Sequence, residues 1–397
     1  MSDIRINLLR KSLPPLRPSL KSGRGPRSVR TRDFAPVPYS LYFDEFKDFE
    51  IGDDCDRNRA SFRVYLSGFG DDDSSKPLLL LLHGGGYSGL TWCLFAKELR
   101  QLCHCRLAAI DLRGHGNTVT DDDYDLSVAT LCRDVGNVFR KLTENETDVP
   151  PVILVGHSMG GALAVHCANN LQQQITTLVG LVVIDVVEGT AMEALKGMQS
   201  VLRNRPKSFR SLESAIEWCG MTRNLDAAKV SMPGQLKNAE TDKPATEYVH
   251  ESINTDSNER SEIGKRHSTL DANKILEEEN EEETSEHDAK QIRNEIKDET
   301  KKQGYVWRID LEKTEPYWTS WFEGLSELFL NAPVESKLLI LAGVDRLDRA
   351  LMIGVMQGKF QSEVLPRVGH AIHEDDPTKV AELISHFLIY HRIAQPL

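Results

Sequence analysis

Five short runs along the chain are apolar on both faces. They are "KPLLLLLHGGG" (76–86), "CRLAAIDLRGHG" (105–116), "PPVILVGHSMGG" (150–161), "TLVGLVVIDVVEGT" (177–190) and "SKLLILAGVDRLD" (336–348). Runs of this length predict central strands of a parallel sheet covered by helices on both sides. Ahead of them, "SFRVYLSG" (61–68) alternates apolar and polar positions, as a half-buried strand does. Between the runs, "TWCLFAKELRQL" (91–102) and "VATLCRDVGNVFRKL" (128–142) carry apolar residues at helical spacing. Strand alternating with helix predicts an α/β fold built on an open, mostly parallel sheet. Function is then expected at the carboxyl ends of the strands.

The alternation stops between Asp185 and Lys337. "AMEALKGMQSVLRNRPKSFRSLESAIEWC" (191–219) reads as helices, and "TEPYWTSWFEGLSELFL" (314–330) as an aromatic-rich amphipathic helix. Residues 238–303 are polar and charged, and include "EEENEEETSEHDAK". Such a composition buries too little surface to offset its ordering entropy. The predicted organisation is a basic disordered tail at 1–33, a sheet domain at 34–185 and 331–397, and a helical cap inserted at 186–330. The cap contains a disordered acidic loop at about 238–303, read as a solvated spacer or as a docking segment for a basic surface.

Charge narrows the field. A formal net charge of −12 over 397 residues disfavours nucleic acid and anionic membranes as partners. No segment reaches the roughly 18 apolar residues of a membrane span. The N-terminal residues lack a secretory apolar core and are rich in Arg, Lys, Ser and Pro. A cytoplasmic and/or nuclear protein is expected. The seven cysteines form no CxxC pair. They read as packing thiols in a reducing compartment, with "LCHCRL" a conceivable but incomplete metal site. No metal or organic cofactor is expected.

The chemistry lies at the strand ends. "GHSMG" fits G-x-S-x-G between the strand "VILV" and the helical "GALAVHCANNL", the context required of a nucleophile elbow. Ser158 is the candidate nucleophile. "LLHGGGYSG" resembles an oxyanion loop, so the amides of Gly85, Gly86 and Met159 are candidate oxyanion donors. The base is expected after the last strand, where "RVGHAIHEDDP" offers His370 first and His373 second. The orienting acid has two candidates, Asp185 after one apolar run and Asp345 after the next. Chain order and burial arguments leave both open.

Longer stretches add specificity. "LLLLHGGGYSGLTW", "GHSMGGALAVH", "VVIDVVEGTAMEALKGMQS", "RPKSFRSLESAIEW", "IGVMQGKFQ" and "GHAIHEDDPTKVAELISHFL" together resemble the protein phosphatase methylesterases, a family of α/β-hydrolases. The resemblance runs from about Arg32 to the C-terminus, apart from the acidic loop. It implies a serine esterase that removes the methyl ester from the C-terminal leucine of the type 2A protein phosphatase catalytic subunit. It also implies Asp185 as the acid, with Ser158 and His370, and a site that can stay inactive until the phosphatase docks. Trp218, Trp318 and Trp321 are then either partner contacts or the cap's own core. Two other functions share these motifs: a small-molecule esterase or lipase, and a binding protein that sequesters phosphatase. Aspartate-nucleophile hydrolases are disfavoured by the serine at the elbow.

Overall fold

The computed structural model describes residues 33–52, 59–70, 75–249, 304–343 and 346–397. The basic tail at 1–32, the stretch at 250–303 with its Glu run, and Asp345 lie outside the described residues. The chain runs β1 (Glu45–Ile51), β2 (Ala60–Ser67), β3 (Leu78–Leu82), α1 (Cys93–Leu99), β4 (Arg106–Ile110), α2 (Val128–Leu142), β5 (Val152–His157), α3 (Met159–Asn170) and β6 (Leu178–Ile184). After a long excursion it returns through β10 (Ser336–Leu341), β11 (Gln361–Val364) and a terminal helix at Pro377–Tyr390. The eight strands form one sheet in the order β1-β2-β4-β3-β5-β6-β10-β11. The pairs β1/β2 and β2/β4 are antiparallel and the rest are parallel.

The apolar runs fold as strands because both of their faces find a core. Leu78, Leu80 and Leu82 of β3 face one apolar cluster with α2 and α3, and Leu79 and Leu81 face another with α1 and the terminal helix. All five leucines have no exposed surface. Val152 and Leu154 of β5 and Leu181 and Val183 of β6 repeat the split, with Ile153, Val155, Val182 and Ile184 on the opposite side. A strand buried twice has no use for alternation, so its sequence reads as an unbroken hydrophobic run.

The excursion holds α4 (Glu188–Arg203), β7 (Ser208–Phe209), α5 (Leu212–Gly220), α6 (Leu225–Ser231), β8 (Leu236–Asn238), β9 (Tyr305–Trp307), α7 (Glu315–Phe322) and α8 (Leu325–Asn331). It is not wholly helical. β7, β9 and β8 form a small antiparallel sheet, with Tyr305–Trp307 as its middle strand. Asn238 closes β8 and the chain remains packed beyond it: Ala245 and Val249 are buried, and Thr246 Oγ1 donates to Asn117 Oδ1 at 2.6 Å. The loop drawn from residue 238 therefore starts too early, since these few apolar residues suffice to hold a polar segment down. Trp318, Trp321 and Phe322 of α7, with Leu325 and Phe329 of α8, belong to the same apolar cluster as β3 and α3. Phe34–Leu397 accordingly forms one compact unit. Among the described residues no helix is long and apolar enough to cross a membrane.

Candidate active site

Ser158 stands between the end of β5 and the start of α3, with φ 54° and ψ −121°. That backbone conformation is costly for a residue with a side chain and is kept only where the surroundings impose it. Glycine at the flanking positions is what permits it. A Cβ on Gly156 would stand 2.1 Å from the Gly160 carbonyl oxygen, and one on Gly160 would stand 2.2 Å from that of Leu82. Strand and helix thus meet backbone to backbone. The Ser158 amide donates to the Ile184 carbonyl at 3.0 Å, which ties the turn to β6. The hydroxyl is left at the N-terminal end of α3, where the helix dipole favours negative charge.

Asp185 follows β6 directly, also with positive φ, at 52°. Its carboxylate is fully buried, an arrangement that is costly without donors. It has three. The Ala342 amide donates to Oδ1 at 3.0 Å, Arg346 donates to Oδ2, and His370 Nδ1 donates to Oδ2 at 2.8 Å. Two of these donors come from the turn after β10, so the neighbouring strand end completes the acid's environment.

His370 lies in the loop after β11, ahead of a short helix at Ile372–Asp375. With Nδ1–H committed to Asp185, Nε2 is the bare nitrogen, and it accepts the Ser158 hydroxyl at 2.9 Å. Ser158, His370 and Asp185 are therefore joined in one hydrogen-bonded chain. The loop is braced twice. His157 Nε2 donates to the His370 carbonyl at 2.8 Å, and the Gly369 amide donates to Asp375 Oδ2 at 2.7 Å. The other candidate base, His373, is buried against Trp92 and bonded to Thr91 Oγ1 at 2.9 Å. Burial pushes its pKa down to about 3, and it makes no contact with Ser158.

The three expected oxyanion donors do not stand alike. The Gly86 amide donates to His115 Nε2 at 2.9 Å, while His115 Nδ1 donates to the Arg113 carbonyl at 2.8 Å. Gly86 is thereby withdrawn as a donor, because a buried neutral imidazole already accepts its hydrogen bond. Burial pushes the His115 pKa down to about 4, which keeps that ring neutral. The amides of Gly85 and Met159 donate to no other described residue. Gly85 also lies against the Met159 side chain, since a Cβ on it would stand 3.7 Å from Sδ. His83 is structural: Nδ1 donates to the Gly84 carbonyl at 2.8 Å and Nε2 accepts the Leu112 amide at 3.0 Å.

The aromatic residues considered as partner contacts separate. Trp318 and Trp321 are buried in the main core, with Nε1 bonded to Thr314 Oγ1 at 2.9 Å and to the Leu126 carbonyl at 2.8 Å. Neither ring lies on the surface. Trp218 is half-buried and packs its ring against Phe209 and Trp307.

Several residues at the site carry no sequence pattern that would single them out. Arg346 and His157 do so by bonding to Asp185 and to the His370 carbonyl. Leu311 leans over the oxyanion loop, so that a Cβ on Gly86 would meet its Cδ1 at 2.9 Å. Among the described residues, no group of three or more His, Cys, Asp or Glu side chains is placed to hold a metal ion. Cys103 and Cys105 are buried in the core.

Comparison with known proteins bears on family and fold. The model of the alpha/beta hydrolase family matches residues 79–383. "Protein phosphatase methylesterase 1" of Bos taurus is 47% identical, over 96% of both chains. The protein of that name from Mus musculus is 48% identical, over 96% of this chain and 94% of its own. The chain belongs to the protein phosphatase methylesterase family. A methylesterase relative from Caenorhabditis elegans, named as probable, is 43% identical over 96% of this chain and 86% of its own. Solved structures extend the likeness at the level of fold alone. The peroxisomal alpha-beta-hydrolase Lpx1 of Saccharomyces cerevisiae aligns over 88% of each chain with a TM-score of 0.56 at 14% identity. E-2-(acetamidomethylene)succinate hydrolase aligns over 87% of this methylesterase-family chain and 100% of its own, with a TM-score of 0.55 at 14% identity.

Proposed function

We propose that this chain is a serine carboxylesterase that removes the methyl ester from the C-terminal leucine of the type 2A protein phosphatase catalytic subunit. The observation that carries the reading is the hydrogen-bonded chain from Ser158 through His370 to Asp185, in a member of the methylesterase family.

The chemistry follows from the donor set. His370 Nε2 takes the Ser158 proton as Oγ bonds to the ester carbonyl carbon. The carbonyl electron pair moves onto oxygen, which the Gly85 and Met159 amides receive at the amino end of α3. Asp185 holds the imidazole in the tautomer that leaves Nε2 bare, and its negative charge stabilises the imidazolium that forms. Collapse of the tetrahedral species expels methoxide, which takes the proton from His370 and leaves as methanol. Water, deprotonated by His370, then attacks the acyl-enzyme. Its collapse returns the proton to Ser158 Oγ and frees the leucine carboxylate. Leu311 and Arg205, from the excursion after β6, face the oxyanion loop at Gly86.

The substrate is tested by offering the purified protein a carboxymethylated type 2A catalytic subunit and, separately, short acyl esters. Turnover of the methylated phosphatase supports the reading. Rapid hydrolysis of the short esters with none of the phosphatase would leave a small-molecule esterase in its place.

A further inference from the structure

Arg205 lies just after α4, on the wall between the oxyanion loop and a surface groove of about 620 Å³. Its guanidinium stacks on the Trp307 ring, 3.6 Å from the centroid. Nη1 would stand 3.9 Å from a Cβ on Gly86. The cation is half-buried, and burial pushes its pKa down to about 10, with Arg223 adding like charge. Arg223 lies near a carboxylate, Glu374 Oε2 at 3.8 Å. Arg205 makes no ion pair and no side-chain hydrogen bond with any described residue. Asp310 and Glu312 also line the groove. The Asp310 carboxylate is occupied by the Glu312 amide and by Lys313, at 3.2 and 3.9 Å.

A guanidinium offers five donors in a rigid fork suited to a carboxylate. Holding one half out of water without an anion is unfavourable, whereas a bound anion would offset the cost. The position restricts which anion that is. The reacting carbonyl must lie at the Gly85 and Met159 amides, and an extended peptide rises about 3.3 Å per residue. The guanidinium next to Gly86 is therefore within reach of the few residues that precede the esterified one.

We infer that Arg205 is an anion subsite for the substrate peptide, binding a side-chain carboxylate within about three residues of the esterified C-terminus. The inference rests on the methylesterase reading for its substrate class, but its test measures binding rather than turnover. Lys207, on the same groove, adds positive charge along the path.

The experiment uses full-length protein carrying Ser158→Ala and calorimetric titration with peptide methyl esters ending in leucine. A single Asp is moved through the three preceding positions and compared with Asn at each. At one position the Asp peptide should bind roughly ten-fold tighter or more, the range of a charge-assisted hydrogen bond. That preference should collapse to about one in Arg205→Met and survive in part in Arg205→Lys, which keeps the charge and the stem. Equal binding of Asp and Asn peptides at all three positions would overturn the inference, as would a preference that persists in Arg205→Met. No measurable binding of any peptide would also overturn it. So would an affinity that follows a free terminal carboxylate against a terminal amide, in place of the side chain. Loss of turnover on these esters by the wild type, with the Asp preference intact, would count against the methylesterase reading and leave the subsite standing.

Discussion

His157 Nε2 donates to the backbone carbonyl of His370 at 2.8 Å, so the residue before the elbow serine holds the loop of the base. The other ring nitrogen is buried without a partner. Burial pushes the pKa of this ring well down, so it stays neutral and keeps its single donor through the neutral range. Replacing it with a ring that cannot donate frees the loop without touching the reacting atoms. His157→Phe should lower kcat by about ten- to a hundred-fold, the kinetic equivalent of losing one buried hydrogen bond, with KM little changed. His157→Gln should recover part of the loss. Steady-state kinetics on the methylated substrate decide it, and an unchanged kcat in His157→Phe would refute the bracing role.

Gly85 and Gly86 should respond differently to the same substitution. Gly86 has φ +78° and a Cβ there meets Leu311 Cδ1 at 2.9 Å, whereas a Cβ on Gly85 meets only ordinary contacts, the nearest at 3.7 Å. Gly86→Ala should shift the oxyanion loop and cost about a hundred-fold in kcat, near the cost of losing one oxyanion donor. Gly85→Ala should cost much less. Adding Leu311→Ala to Gly86→Ala should restore part of the activity, because it removes the steric share and leaves the backbone share. Equal losses in the two single variants would contradict the geometry.

Stability should fall on mild acidification, before any acidic limb of activity is considered. His83, His115, His157 and His373 are buried, and burial lowers the pKa of each, to about 4 for His115 and about 3 for His373. Below pH ~6.5 the unfolded chain binds protons that the folded chain refuses. This stability is thus present above that pH and lost as pH falls toward 4. Asp111 acts in the opposite sense between about 6 and its ordinary value, since burial pushes it up to about 6. Asp134 and Glu374, also raised by burial, oppose the histidines too. His115 alone accounts for on the order of 3 kcal/mol across the window. The urea midpoint should be lower at pH 5 than at pH 7.5, and His115→Gln should reduce the difference. A midpoint that rises toward pH 5 would contradict the balance.

Trp321→Ala should act on folding rather than on docking. The indole is buried and its Nε1 bonds to the Leu126 carbonyl. Truncation should destabilise by about 3–5 kcal/mol, measured by equilibrium unfolding. Intact stability with weakened phosphatase binding would return Trp321 to the surface role.

The sheet was readable in the sequence because strands buried on both faces write continuous apolar runs, as Leu78–Leu82 does. The elbow was readable because close backbone approach admits only glycine at Gly156 and Gly160. The acid was not separable by order or composition. Asp185 is made tolerable in the core by the Ala342 amide and Arg346, which arrive from a strand more than 150 residues later. Gly86 read as a donor because a run of three glycines does not reveal that His115, 29 residues on, takes one of the amides. The stretch 314–330 is amphipathic but forms two helices, broken at Gly324 with φ 73°, and pattern alone does not say which body a helix packs on. Trp318 and Trp321 joined the sheet's core, not a separate cap's.

The most direct measurement is methyl release from a carboxymethylated type 2A phosphatase catalytic subunit by wild-type protein, Ser158→Ala and Asp185→Asn. Wild-type turnover should be lost in Ser158→Ala and fall by about 10⁴-fold in Asp185→Asn, whose amide favours the wrong imidazole tautomer. Both variants should unfold cooperatively, as the wild type does. Demethylation retained by folded Ser158→Ala would contradict the account at its centre.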